Sequence, residues 1–393
     1  MHASCASTFD RHAPSERLMT PQTIPSLQDF LQRDLDYICA NLKDEFARMA
    51  GDRLLITGGA GFLGYYLVHA ALHFNKTAAG DQPIDVTVWD NFIRGTPTWL
   101  TALQGTPHFT MQRYDLIEPL PQPMPPFDWI IHAAGIASPP YYRKYPLQTI
   151  DANINGLRNL LDHCVAQANA GRPAKGFLFY SSSEIYGDPT PEWIPTPEHF
   201  RGLVSCTGPR ACYDESKRFG ETICVIYAQQ HGIPTKMARP FNNYGPGLKI
   251  TDKRVIPDFA REIFAGRDLV MFSDGKPTRT FCYSADSITG YYKVLVRGHA
   301  GEPYNVGTER PEISMNELAS RLIATAGDLF GYRGKLIQGS APEAVYLVDN
   351  PNRRCPNIDK ARSHLGYEPG ISIEEGLRRS LIWYHHNQQA EEA

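Results

Sequence analysis

The sequence predicts an α/β fold: a doubly wound parallel sheet, preceded by a helical extension and followed by a smaller C-terminal lobe. Two observations predict the sheet. First, short apolar runs alternate with stretches long enough for helices between residues 53 and 241, which is typical of parallel strands joined by crossover helices. Second, a glycine-rich turn at residues 58–64 directly follows the first apolar run and precedes a helix-like stretch. Together they indicate a sheet of the Rossmann type.

The segment before the sheet, residues 26–50, is predicted to be an amphipathic helix. Its apolar side chains recur at helical spacing: Leu27, Phe30, Leu31, Leu35, Ile38, Leu42 and Phe46. We interpret it as a packing helix or a dimer element. Deletion of residues 1–50 is therefore expected to leave the sheet intact. Residues 1–25 are polar, with Pro and Ser, and are expected to be loose.

Five apolar runs are predicted to be strands. They cover residues 53–57, 85–89, 129–133, 176–181 and 235–240. After about residue 241 the pattern changes to short elements and turns rich in Gly and Pro.

The composition argues against several classes of function. A net charge of −3 offers no basic surface for nucleic acid. Eight cysteines are scattered without a Cys-x-x-Cys pair, which predicts no metal site, no disulfide framework and a reducing, cytoplasmic location. The sequence has neither a run of about 18 apolar residues nor an apolar leader, so we expect no membrane span and no secretory signal.

The glycine-rich turn is predicted to hold the pyrophosphate of a dinucleotide. The first glycine permits a tight turn, the second lets the backbone approach the phosphates, and the third lets the helix pack closely. The N-terminus of that helix then faces the anion. The residues assigned to this contact are Gly58, Gly61, Phe62, Leu63 and Gly64. The alternative, a turn without a ligand, is less favoured because strand and helix stand in the required places.

Asp90, at the end of the second predicted strand, is placed to accept a hydrogen bond from a ribose 2′-hydroxyl. It follows Gly64 by 26 residues, where roughly 20 is usual. An acid there disfavours a 2′-phosphate, so NAD is predicted rather than NADP, although Arg94 is close in sequence. Further cofactor contacts are assigned to Asn91, Asp115, Leu116 and Ala133. Asp115 follows a third strand-like segment and either borders the adenine or is an ordinary loop acid.

A phenol and an ammonium four residues apart predict proton transfer. Tyr213 and Lys217 share one helix face by their spacing. A phenol of pKa about 10 is a poor base at neutral pH. A neighbouring ammonium and the positive nicotinamide ring favour the phenolate. Ser182, at a strand end, is placed to bond the same substrate oxygen. The set indicates removal of a hydroxyl proton as a hydride leaves, and both groups are also expected to contact NAD.

The chain resembles the extended short-chain dehydrogenase/reductase family of nucleotide-sugar epimerases, dehydratases and decarboxylases over roughly residues 53–390. Within that family it most resembles the decarboxylases of UDP-glucuronate. The motifs that carry this are Asp-Asn-Phe at 90–92, Ala-Ser-Pro-Pro at 137–140, Ser-Glu-Ile-Tyr-Gly-Asp-Pro at 183–189, Gly-Pro-Arg-Ala-Cys-Tyr-Asp-Glu at 208–215, Thr-Arg at 278–279 and Asp-Asn-Pro-Asn-Arg-Arg at 349–354.

The resemblance implies a nucleotide-sugar substrate, a UDP-sugar above all, a retained NAD and a homodimer formed through the helix that carries Tyr213 and the helix before it. It implies catalytic roles for Ser182, Ser183, Glu184, Tyr213, Lys217 and Arg279. It implies substrate contacts for Pro139, Tyr142, Glu184, Asn242, Arg254, Val255, Arg279 and Arg353. Three regions follow: residues 1–50 as an extension, 51–241 with 275–297 as the NAD-binding domain, and 242–274 with 298–393 as the nucleotide-sugar-binding lobe.

The Ser183-Glu184 pair favours decarboxylation of UDP-glucuronate to UDP-xylose, because the dehydratases carry Asp-Glu there. Three positions depart from the decarboxylase pattern: Gly247 where decarboxylases usually carry Arg, Pro277 in place of Gln, and Ser216 in place of Gly. The first two lie near the expected sugar pocket and weaken that choice. The alternatives are a 4-epimerase or 4,6-dehydratase and, more remotely, a non-catalytic NAD-sensing protein. Two roles also stay open: Glu184 as an acid that only fixes the turn at Tyr186, and Arg279 as the partner of a structural carboxylate.

Overall fold

The computed structural model describes residues 26–340 and 348–392. The looseness predicted for residues 1–25 lies outside them.

Fourteen strands are found in the described residues. They are β1 (Arg53–Thr57), β2 (Asp85–Asp90), β3 (Phe109–Arg113), β4 (Trp129–His132), β5 (Gly176–Tyr180), β6 (Thr235–Pro240), β7 (Asn243–Tyr244), β8 (Leu269–Met271), β9 (Thr278–Arg279), β10 (Cys282–Tyr283), β11 (Glu302–Val306), β12 (Ile313–Ser314), β13 (Leu336–Gln338) and β14 (Arg353–Arg354).

Twelve α-helices accompany them over the same residues, with 3₁₀ turns at Ser183–Tyr186 and Pro191–Trp193. The helices are α1 (Leu27–Asn41), α2 (Lys43–Met49), α3 (Gly64–Thr77), α4 (Thr98–Thr101), α5 (Pro139–Lys144), α6 (Pro146–Asn169), α7 (Ala211–His231), α8 (Val255–Phe264), α9 (Ser284–Arg297), α10 (Met315–Phe330), α11 (Asp359–Leu365) and α12 (Ile373–Glu392).

Seven strands form one parallel sheet in the order β3-β2-β1-β4-β5-β6-β11. The strand order reverses between β1 and β4, and a crevice opens beyond the carboxyl ends of the strands at such a point. The predicted doubly wound sheet is confirmed, and each of the five predicted strands lies within one residue of its expected ends.

The seventh strand, β11, comes from residues that the sequence assigned to the lobe. It pairs with β6 alone and begins Glu302-Pro303, so it lacks the continuous apolar run of a central strand. Helix α9 packs against β5, β6 and β11. The division into domains as a whole remains a prediction. Three smaller sheets, β10-β7, β12-β9-β14 and β13-β8, follow. Two of them include β10 and β9, which lie in residues 275–297, and their other strands come from the segments that the sequence assigned to the lobe.

The N-terminal segment is helical as predicted but breaks at Leu42 into α1 and α2. Both helices pack on α9, and α1 also contacts α3 and α12. The side chains of Phe30, Ile38, Phe46 and Met49 are fully buried in the main core. The segment is therefore a packing element, and the expectation that its deletion leaves the sheet intact does not agree with this burial.

No helix in the described ranges is long and apolar enough to span a membrane.

Candidate active site

The glycine-rich turn forms a cradle that side chains would fill. Gly58 has φ +71°, and a Cβ there would lie 2.6 Å from Cα of Ala134 at the end of β4. Gly64 starts α3, where a Cβ would overlap the carbonyl of Gly59. Backbone N–H groups at a helix start therefore face an open crevice at the strand ends, which is the arrangement that binds a dinucleotide pyrophosphate. Phe62, Leu63 and Gly61 complete this turn.

Asp90 ties the end of β2 to this turn. Its two oxygens accept hydrogen bonds from the backbone N–H of Ala60 at 3.0 Å and of Phe92 at 2.8 Å. Burial raises the pKa of Asp90, while those two bonds lower it. A carboxylate has about four acceptor positions, so Asp90 keeps capacity for a ribose hydroxyl. The residues present therefore fit NAD.

The remaining cofactor candidates lie around the same crevice. The amide of Asn91 donates to Asp115 at 3.1 Å, Leu116 is buried, and the N–H of Ala133 donates to the carbonyl of Thr57. Arg94 is held elsewhere: its guanidinium pairs with Asp252 at 2.8 Å and lies 4.5 Å above the ring of Tyr141. This engagement favours NAD over NADP.

Ser182, Tyr213 and Lys217 meet where β5 ends and α7 begins. The Ser182 hydroxyl accepts from the N–H of Glu184 at 3.1 Å. Burial raises the pKa of Tyr213 to about 12, against the lowering effect of Ser182. Burial lowers the pKa of Lys217 to about 7. Its Nζ donates to the carbonyl of Tyr180 at 2.7 Å and lies 5.8 Å from the Tyr213 ring centroid. The predicted clustering of phenol, ammonium and hydroxyl is thus found.

Tyr142, on α5, stacks on Tyr213 with ring centroids 5.3 Å apart and planes 14° apart. Its hydroxyl is buried and has no hydrogen-bond partner among the described residues. The neighbouring Pro139 is the first residue of α5 and is half-buried. The predicted substrate residues of α5 therefore adjoin the proton-transfer group.

Glu184 is a half-buried carboxylate held by two arginines. Arg354 forms two parallel hydrogen bonds to it, each of 2.5 Å, and Arg210 donates to one of the same oxygens. Burial alone would raise the pKa of Glu184, but the ion pairs with Arg354 and Arg210 lower it to about 2. Glu184 is therefore ionised at neutral pH. Ser183 beside it is buried.

The carboxylate of Glu184 does not fix the turn at Tyr186, to which Glu184 contributes only its backbone carbonyl, the acceptor of the Gly187 N–H at 3.0 Å. The Tyr186 hydroxyl donates to Asn305 at 2.8 Å and accepts from Arg239 at 2.7 Å, and Arg239 pairs with Glu221. The alternative in which Glu184 only fixes this turn is therefore not supported.

Arg279 is buried, and none of its hydrogen bonds within the described residues goes to a carboxylate. Its guanidinium donates to the backbone carbonyls of Thr278, Asn352 and Pro351, the last at 2.5 Å. Burial lowers the pKa of Arg279 to about 9, and the charge of Arg354 adds to that effect. Arg279 thus holds the segment that leads into Arg354. The idea of a structural carboxylate partner for Arg279 does not agree with these contacts.

Arg353 points to another partner: it forms two hydrogen bonds with Glu312, at 2.9 and 2.7 Å. Arg354 rather than Arg353 therefore enters the Glu184 cluster.

The other predicted substrate residues line the lobe side. Asn242 adopts φ +41° and its amide donates to the carbonyl of Thr280 at 2.9 Å. Arg254 directly precedes α8, of which Val255 is the first residue; its guanidinium pairs with Asp252 at 3.0 Å and lies 5.9 Å above the ring of Phe62. The substrate contacts of these residues stay predictions.

Sequence reasoning missed three members of the site: Arg210, Asp214 and Arg354. All three lie in motifs on which the family resemblance rests, at 208–215 and 349–354. The sequence therefore marked these positions but did not indicate what their side chains do. Their roles depend on contacts between distant segments, since Arg354 lies 170 positions from Glu184.

The chain belongs to the NAD dependent epimerase/dehydratase family, whose sequence model matches residues 54–307. It is 36% identical over 335 residues to UDP-glucuronic acid decarboxylase 1 of Xenopus tropicalis, covering 84% of this chain and 72% of that protein. It is also 36% identical over 327 residues to UDP-glucuronic acid decarboxylase 3 of Arabidopsis thaliana, covering 83% and 86%.

Solved structures show the same fold. A dTDP-glucose 4,6-dehydratase from Streptomyces venezuelae with bound NAD has a TM-score of 0.72 and 25% identity, over 86% of this chain and 98% of that one. An epimerase from Methanothermobacter thermautotrophicus has a TM-score of 0.74 and 24% identity, over 90% and 98%. The predicted family, the resemblance to the decarboxylases and the cofactor NAD are thereby confirmed.

Proposed function

We propose that this protein decarboxylates UDP-glucuronate to UDP-xylose and keeps its NAD through the cycle. The observation that carries the proposal is the arginine cluster. Arg210, Arg354 and Arg279 surround the ionised carboxylate of Glu184, near the Ser182–Tyr213 pair. Asp214 beside Arg210 is partly protonated at neutral pH, so the three cations exceed the negative charge and leave the site positively charged. A sugar carboxylate is the charge that such a site attracts. The names of the similar proteins point the same way.

The glycine turn at residues 58–64 and Asp90 would hold NAD, which would supply a reversible hydride acceptor for C4 of the sugar. Tyr213 takes the C4 hydroxyl proton, and Ser182 holds the same oxygen through its hydroxyl. The buried Lys217, whose Nζ lies 5.8 Å from the centroid of the Tyr213 ring, favours the phenolate in its protonated form. The resulting C4 ketone is β to the C6 carboxylate, so that carbon dioxide can leave with its electron pair held as an enolate.

The departure at Gly247 has a local reason. Gly247 adopts φ +89°, and a Cβ there would lie 2.5 Å from Cβ of Tyr65 and 2.6 Å from the carbonyl of Phe62. An arginine at this position would be strained in this backbone. The departure therefore follows from the packing of the cofactor turn and does not by itself favour dehydration.

The test is to incubate the protein with UDP-glucuronate, UDP-glucose and UDP-xylose and to identify the products by mass spectrometry. We expect a UDP-pentose and carbon dioxide from the first, no 4-keto-6-deoxy product from the second and no C4 inversion of the third. Loss of water or inversion without carbon dioxide would favour the dehydratase or epimerase alternative. If the protein binds NAD but converts none of these sugars, the result would favour a non-catalytic NAD-sensing protein.

We also propose that the protein is a cytoplasmic homodimer paired through α6 and α7. These helices pack on each other and expose Leu147, Ile150, Phe219 and Ile226. Phe219 alone has 54% of its surface exposed, and exposed apolar groups of this kind mark association surfaces. The seven cysteines in the described ranges are free, which suits a reducing compartment. Light scattering tests the dimer: Phe219→Glu should shift the mass to the monomer's 44.0 kDa. A wild-type monomer would contradict it.

A further inference from the structure

Asp214 is a buried carboxylate with one oxygen left without a partner. It lies in the first turn of α7, beside Tyr213, with 6% of its surface exposed. Its Oδ2 accepts a long hydrogen bond of 3.4 Å from Nε of Arg210. Its Oδ1 has no hydrogen-bond partner in the described parts of the chain. An unfilled buried acceptor costs free energy, so such an atom in a native site calls for a reason.

The groups that face Asp214 come from four elements. They are Arg210 before α7, Cys212 and Tyr213 on it, Glu184 in the 3₁₀ turn, Arg354 on β14 and Tyr142 on α5. Burial raises the pKa of Asp214; Arg210 opposes the rise, Glu184 adds to it, Arg354 opposes it, and the result is about 7. At neutral pH Asp214 therefore holds a proton in a large share of molecules.

The proposed reaction consumes one proton that no assigned residue supplies. Breaking the C5–C6 bond releases neutral carbon dioxide and leaves an enolate across C5, C4 and O4. A C5–H bond must form before the C4 ketone can be reduced. The proton that Tyr213 takes from the C4 hydroxyl returns to O4 in that reduction, so it cannot also serve C5. One further proton must enter in every turnover.

We propose that Asp214 stores this proton and passes it to C5 through the hydroxyl of Tyr142. Asp214 and Tyr142 each have a buried side-chain oxygen without a partner in the described ranges. Tyr142 stacks on Tyr213; burial raises the pKa of the Tyr142 phenol, and the charge of Asp214 adds to that rise. The O–H bond of Tyr142 breaks as C5–H forms, a water carries the proton of Asp214 to the phenol oxygen, and solvent reprotonates Asp214. Arg210 then pairs with the new carboxylate.

The experiment compares Asp214→Asn, Tyr142→Phe and wild type in a single turnover with UDP-glucuronate. Carbon dioxide release and the absorbance of the reduced cofactor are followed together. Both variants should still release carbon dioxide in the single turnover. Both should then keep the cofactor reduced about 10²-fold longer, the smaller end of the range for a lost proton-transfer group. Glu215→Gln, which removes the neighbouring and more exposed acid, is the matched control and should behave as wild type.

The outcomes separate this inference from the function on which it rests. Wild type that makes no carbon dioxide contradicts the proposed function. If wild type makes it and the variants reoxidise the cofactor at the wild-type rate, the proton store is wrong. Loss of carbon dioxide release with no reduced cofactor would show a structural role and also overturn it.

The wild-type pH profile gives a second check that does not depend on a variant folding. The acid form of Asp214 is required, so reoxidation should be fast below pH about 7 and slow down as pH rises through it. A reoxidation rate that does not fall across this range contradicts the inference. Tyr142→Phe removes only a hydroxyl without partners and should fold normally.

Discussion

Two buried acidic clusters in this molecule are built alike and differ in one respect. At the N-terminal helices, Asp34 accepts from Arg379 and from the hydroxyls of Tyr66 and Tyr283, so both its oxygens are filled. At the sheet's crevice, the acidic cluster of Glu184 and Asp214 leaves the Oδ1 of Asp214 unfilled. A buried charge with all its acceptors filled fastens one element to another. A buried charge left partly unfilled is available for chemistry.

The comparison extends to the surroundings. Asp34 is shielded by α1, α3 and α12 and lies in the main core. Glu184 lies among three arginines, two of which come from the distant segments at 279 and 354. Mutations at the first cluster should change stability and leave chemistry unaltered, whereas mutations at the second should do the reverse.

The largest effect is expected from deleting residues 1–50. Five core side chains are lost with it: Phe30, Ile38, Leu42, Phe46 and Met49. Burial of such a side chain contributes about 1.5–3 kcal/mol each, and their sum rivals the whole stability of a domain, about 5–15 kcal/mol. The truncated chain should be unfolded or aggregated by circular dichroism and size-exclusion chromatography. A peptide of residues 26–50 added during refolding should rescue it. A soluble, NAD-binding truncation would show that the first cluster is dispensable.

Tyr213→Phe should lower turnover about 10²–10⁴-fold, because it removes the oxygen that transfers the proton and almost no volume. NAD affinity, measured by calorimetry, should remain. A variant that keeps more than a tenth of wild-type activity would remove Tyr213 from the chemistry.

Glu184→Gln tests the cluster at the candidate active site. The change removes the anion that Arg210 and Arg354 share. The two guanidinium groups then lose the hydrogen bonds that fix their positions, so the sugar carboxylate is no longer held in one orientation. We expect kcat for carbon dioxide release to fall about 10²-fold, in the range of a displaced catalytic group. The thermal midpoint should change less than in the Asp34 cluster variant below. A kcat within twofold of wild type would contradict the assignment.

Arg379→Leu tests the other cluster. It leaves Asp34 buried without its cation, which costs about 3–5 kcal/mol of unfolding free energy. Burial already raises the pKa of Asp34, and Arg379 lowers it. In the variant, folding therefore favours the protonated acid. The loss of stability should be small below the unfolded pKa of about 3.9 and should grow as pH rises above it.

Denaturant titration at several pH values measures this, and kcat of the folded variant should equal that of wild type. Arg378→Leu, an exposed neighbour on the same helix, is the control and should change stability little. A pH-independent loss would mean that Asp34 is not the group responsible.

The smallest effect is expected at Asp90→Ala. It deletes the acceptor for a ribose hydroxyl, worth about 1–3 kcal/mol when the partner is left unpaired. NAD should bind roughly tenfold or more weakly, and NADP should be affected less. Because Arg94 is engaged by Asp252, NADP should not become the better ligand. Equal losses for both cofactors in calorimetry would contradict the role of Asp90.

The sequence alone determined the sheet, the cofactor turn and the proton-transfer pair. These depend on local spacing: apolar runs at strand length, three glycines at fixed intervals, and a Tyr and Lys one helical turn apart. The resemblance then supplied the family and the candidate reaction. The edge strand β11 was not predicted from the sequence, because an edge strand buries less of its side-chain surface and needs no continuous apolar run.

Tertiary structure decided which charged groups meet. Arg354 reaches Glu184 across 170 positions of sequence, and Arg379 reaches Asp34 across 345. No local spacing encodes such pairs, because both members come together only when the chain closes. The same closure filled both oxygens of Asp34 and left one of Asp214 unfilled. Burial, which sequence patterns do not assign to a single carboxylate, is the physical reason that one acid stabilises the fold while the other is available to hold a proton.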